Sequence, residues 1–88
     1  MRLHRVSYQV LNDSNHLLSL ERILKYKAEY LVILDGFTMA GPARKMVEKF
    51  PEQFHLEMKT IPEHIEPSGA VYSIDLHKVR SYLALSLH

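Results

Sequence analysis

Val6, Tyr8 and Val10 alternate with Arg5, Ser7 and Gln9, and this two-residue period predicts a strand over about 2–11 with one buried face. Asn12-Asp13-Ser14-Asn15 comes next, a run of side chains that accept from free backbone N–H groups and so favour a turn and a helix N-cap. Leu17, Leu20, Leu24 and Ala28 then fall on one helical stripe with Ile23 beside it, while Glu21, Arg22 and Lys25 are displaced toward solvent. Tyr30-Leu31-Val32-Ile33-Leu34 is apolar at every position before Asp35-Gly36. Such a run predicts a central strand covered on both faces.

Gly41-Pro42 marks a second helix start, since proline at the first helical position loses an N–H that had no partner there. Ala43, Met46, Val47 and Phe50 repeat at helical spacing, Arg44 and Glu48 make an i,i+4 pair, and Pro51 ends the pattern. Over 53–61, Phe54, Leu56 and Met58 alternate with His55, Glu57 and Lys59, as in a strand with one charged, wet face. Residues 62–69 read as a loop and 71–74 as a further strand. From Asp75 two patterns compete. Leu76, Val79 and Leu83 fit a helix capped by Asp75, whereas Leu83, Leu85 and Leu87 alternate like a strand; the helix is preferred, and 76–88 stays open between the two. The order β-α-β-α-β-β-α predicts an α/β fold. Its sheet is expected to be mixed, mostly parallel and four-stranded, flanked by helices, with the last two strands joined as a hairpin.

The 88 residues suffice for one domain, 1–88. Hydrophobic residues at 47% against 24% charged place the chain with globular proteins and away from disordered ones. Lys and Arg number 11 and Asp and Glu 10, for a net +1 with the signs interspersed, so a nucleic-acid partner is not expected. The absence of cysteine excludes disulfides, thiolate metal sites and thiol catalysis, and makes a reducing cytoplasm the expected setting. No apolar run approaches the roughly 18 residues of a membrane span, so a soluble protein is expected. Three glycines cannot supply the glycine-rich phosphate loops. The six histidines show no zinc-ligand spacing. Neither a metal nor another cofactor is therefore expected.

In an open parallel sheet, ligands bind beyond the carboxyl ends of the strands, where helix N-termini present unpaired N–H groups. That rim would carry Asn12, Asp13 and Ser14 after the first strand, Asp35 and Thr38 after the second, and Glu63 and His64 after the third. Asp13, Ser14, Thr38 and Gly41 are its candidate ligand-binding residues, with weak anion binding expected near Thr38, Gly41 and Ala43. Capping and turning require the same residue types at the same places.

Three short patterns resemble known families. Phe37 to Met46, centred on Gly41-Pro42, resembles the active-site turn of thioredoxins, but Ala40 and Ala43 stand at the two cysteine positions, which removes disulfide exchange. Val32-Ile33-Leu34-Asp35-Gly36 is similar to the phospho-acceptor strand of response-regulator receivers, although Asn12-Asp13 offers one acid where that family needs two. Asp35 followed by Glu57-Met58-Lys59 resembles the D…E-x-K arrangement of restriction-endonuclease-like nucleases. That resemblance implies two carboxylates on a divalent cation, with Lys59 stabilising developing charge. Period two would place Glu57 and Lys59 on one face, as that chemistry needs.

The leading expectation is a small non-enzymatic protein-interaction or adaptor module. Its apolar tail Tyr82-Leu83-Ala84-Leu85-Ser86-Leu87 holds more leucine than one helical stripe can hide, so a homo-oligomer is expected. A metal-dependent phosphodiesterase using Asp35, Glu57 and Lys59 is the alternative, with a weak anion-binding domain as a third class.

Overall fold

The structure is a computed structural model, and it describes residues 9–11, 15–36, 40–60 and 69–86. Its elements are α1 (His16–Tyr26), β1 (Tyr30–Leu34), α2 (Ala40–Lys49), β2 (Phe54–Thr60), β3 (Gly69–Ile74) and α3 (Leu76–Ser86). Of the strand expected over 2–11, residues 2–8 lie outside the described residues, and 9–11 have no regular structure.

α1 and α3 each begin where a side chain serves the first turn. The Asn15 Oδ1 accepts from the Leu17 and Leu18 N–H groups at 2.9 and 3.3 Å, so the last residue of the polar run is the cap of α1. Lys27 closes the same helix in the left-handed region at φ 53°, its N–H reaching back to the Leu24 carbonyl at 3.2 Å. Asp75 caps α3 by accepting from the Lys78 N–H at 3.2 Å. The tail is therefore a helix, in which Val79 and Leu83 are buried and Leu85 is exposed. The strand reading of this segment would have left Asp75 without that role.

The sheet corrects the expected fold. Among the described residues it has three strands in the order β1-β3-β2, and both neighbours of β3 run antiparallel to it. It is neither four-stranded nor mostly parallel. β1 and β2 do run in the same direction, as expected of strands joined across α2, but β3 separates them. The reason is topological, because the last strand enters the gap that the crossover leaves and antiparallel pairing then satisfies both neighbours at once. Tyr30–Leu34 is thus an outer strand of the described sheet, and the least marked segment, 69–74, is the central one.

A single core lies between the sheet and the helices. Leu20 and Ile23 of α1, Leu31 and Ile33 of β1, Ala40, Met46 and Val47 of α2, Phe50, Phe54, and Val79 and Leu83 of α3 form one buried cluster. Phe50 meets the edge of Tyr82 with ring centroids 4.8 Å apart. The side chains of β1 alternate between exposed and buried, so the doubly covered strand expected from its apolar run has one covered face. Gly69 allows β1 and β3 to approach closely, since a Cβ there would run into the Ile33 carbonyl oxygen.

Candidate functional site

Register fixes which side chains share each face of the sheet. Opposite Leu31 and Ile33 stand Tyr72 and Ala70, and opposite Ile74 stands Phe54; these form the inner face. Val32 pairs with Val71, and Val71 pairs on its other side with Met58. An apolar row therefore crosses all three strands on the outer face, with Tyr30 and Leu34 flanking it on β1. Tyr30, Val32 and Met58 are 59%, 56% and 58% exposed. The row meets a polar corner where the Ser73 hydroxyl donates to the Glu57 Oε2 at 2.8 Å, beside exposed His55.

A β-bulge between Leu56 and Met58 brings Met58 into this row. One extra residue, Glu57, moves Met58 off the face that carries Phe54 and Leu56. The two-residue pattern read from the sequence put Met58 inside and Glu57 with Lys59. The bulge instead aligns Met58 with Val71, and pairs Lys59 with Ala70 on the opposite face. No residue type in 54–60 announces that bulge. Val71 gave no signal either, because a four-residue apolar segment does not disclose its inner side.

Among the candidate catalytic residues, Asp35 follows β1 while Glu57 and Lys59 lie on β2, and β3 lies between the two strands. Asp35 follows β1 and pairs with Arg44 of α2, an exposed ion pair worth up to about 1 kcal/mol. Glu57 lies on β2, two strand spacings from β1 and so roughly 10 Å across the sheet. Among the described residues, no group of three or more His, Asp or Glu side chains could hold a metal. Gly41 is exposed in the first turn of α2, with open space where a Cβ would stand. Asp13, Ser14, Thr38, Glu63 and His64 lie outside the described residues.

The two outer strands differ in chemistry. The Ile74 N–H donates to the Glu29 carbonyl at 2.9 Å, which sets the phase of the β1–β3 ladder. Glu29, Leu31 and Ile33 point their backbone groups at β3, and Tyr30, Val32 and Leu34 point theirs away from it. Among the described residues, that row of donors and acceptors has no strand beside it. It carries neither charge nor proline, whereas β2 has the bulge, Glu57 and Lys59, devices that discourage strand pairing. Elsewhere, Leu17, Leu18 and Tyr26 of α1 and Leu85 of α3 are exposed apolar residues. No described helix is long and apolar enough to cross a membrane. Set against known proteins, the chain matches no family model, no curated protein and no solved structure.

Proposed function

We propose that this chain is a small non-enzymatic module that binds another protein through the outer face of its sheet. The supporting observation is the row Val32–Val71–Met58, in register across three strands on the face opposite the helices, with Val32 and Met58 exposed and Val71 half-buried between them. Contiguous apolar surface on a folded chain marks contact sites. The polar corner of Ser73 and Glu57 gives such a contact an orientation. The lack of cysteine supports a reducing, cytoplasmic setting for it.

The test is cross-linking of the tagged chain in its native cells, followed by identification of what is retained. Met58→Lys should abolish retention of the specific partner, because it places an ammonium group in the middle of the contact. Leu18→Lys on α1, away from the sheet, should not. Unchanged circular dichroism confirms that both variants fold. Retention that survives Met58→Lys and fails with Leu18→Lys would move the function to the helical surface.

A further inference from the structure

We infer that the outer edge of β1, which has no strand beside it among the described residues, pairs with β1 of a second copy of this chain, antiparallel about a two-fold axis at Val32. The backbone groups that point away from β3 belong to Tyr30, Val32 and Leu34, a set symmetric about Val32. A two-fold there lets Val32 exchange both ladder bonds with Val32 of the second copy, and Tyr30 with Leu34 of the second copy, so that every one of those groups is paired. Edges that stay single are normally blunted by charge, proline or a bulge. β2 has two of these devices and β1 has none.

Charge supports the same register. It sets Glu29 opposite Asp35 of the second copy, two like charges that would oppose the pairing alone. Asp35, however, already pairs with Arg44. The guanidinium therefore lies where the incoming Glu29 carboxylate arrives, and the two-fold repeats that contact at the other end of the strand. The second copy also supplies area. The largest apolar patch of a lone chain is typically ~300–600 Å², short of the about 800 Å² per partner in a standard interface. Joined edges run Met58–Val71–Val32 straight into the same row of the second copy, a continuous apolar band about 24 Å long at the usual strand spacing. The use of that band as a contact face rests on the interaction module proposed above; the pairing itself does not.

Sedimentation of the full chain over a wide concentration range tests the pairing, together with amide exchange at Tyr30, Val32 and Leu34. A monomer–dimer equilibrium is expected, with those amides protected in the concentrated sample and exposed on dilution. Val32→Pro should abolish the dimer, since its N–H points away from β3 and is dispensable within one chain. Val32→Lys should weaken the dimer by roughly tenfold or more, because two ammonium groups would face each other at the axis, and it decides the matter if the proline variant does not fold. Arg44→Gln should weaken it less, in a salt-dependent way. Met58→Lys should leave the dimer intact while abolishing partner retention, so the failure of one proposal is distinguishable from the failure of the other.

A monomer at every concentration with freely exchanging amides overturns the inference. So does a monomer with these amides always protected, which would mean that the edge is covered within the chain. A dimer that survives both Val32 variants, or one that Met58→Lys destroys, would place the interface elsewhere.

Discussion

One strand, β1, shows both faces of this sheet in five residues. Leu31 and Ile33 are buried against the helices, while Tyr30, Val32 and Leu34, equally apolar, stand in solvent. Both sides of β1 are apolar, so apolar character alone does not decide burial. What differs is whether a second layer arrives, and α1, α2 and α3 all contribute to a core on the inner side. An apolar residue left on the bare side gains nothing for the stability of the single chain, and its value lies in what it meets later.

The strongest way to break this comparison is to truncate one residue from each face. Ile33→Ala should destabilise the fold by about 2–5 kcal/mol, through lost transfer energy and the cavity left in the core. Val32→Ala, one position away, should change it by roughly 0.5 kcal/mol or less, as exposed substitutions do. Urea unfolding at a concentration low enough to keep the chain monomeric measures both, and equal losses would mean that the outer face is packed within the single chain.

A smaller effect tests how the two faces are held in register. Gly69→Ala would push a methyl group into the Ile33 carbonyl oxygen. Because a backbone atom cannot give way as a flexible side chain does, the expected cost is about 1–3 kcal/mol. Its signature beyond stability is local: amide exchange should quicken along the β1–β3 ladder before it quickens between β2 and β3. Uniform loss across the sheet would assign Gly69 no special part in that approach.

The smallest effect lies outside the sheet and provides a reference for the other two. Lys27 occupies the left-handed region at φ 53°, where a Cβ is strained and glycine is not. Lys27→Gly should raise stability by up to about 1 kcal/mol, offset in part by the larger entropy of the unfolded chain. A thermal melt checks the sign. A loss would show that the Lys27 side chain contributes more than its backbone costs.

The helices were readable because their signals are local. Of the stripe Leu17, Leu20, Leu24 and Ala28 with Ile23 beside it, Leu20 and Ile23 are buried and Leu17 is exposed, the repeat Ala43, Met46, Val47 and Phe50 marks the buried side of α2, and Asp75 caps α3. For α1 the sequence located the capping run but not its last member, Asn15, since any of four adjacent polar residues can accept from the first turn. The strands were legible as strands and not as a sheet. Tyr30–Leu34 looked central because an unbroken apolar run is what a doubly covered strand requires, and an outer strand destined for another surface has the same appearance. The outer apolar row was not legible for a related reason. The patterns place Val32 and Met58 in the interior, whereas Asp35, Glu57 and Lys59 stand out as chemistry-bearing residue types, with β3 lying between the strand that Asp35 follows and the strand of Glu57 and Lys59.

The sequence by itself determined the helical character of 16–26 and 40–49 and the extended character of 30–34 and 54–60, because each depends on neighbours within a turn or two of the chain, whereas 76–86 fitted helix and strand patterns alike. Strand order, the insertion of β3 between β1 and β2, the bulge at Glu57 and the bare outer face were decided by the tertiary structure alone. Pairing depends on which distant segment reaches an edge first in space. A one-residue slip at such a pairing moves every later side chain to the other face, and no local pattern in 54–60 records that it has occurred.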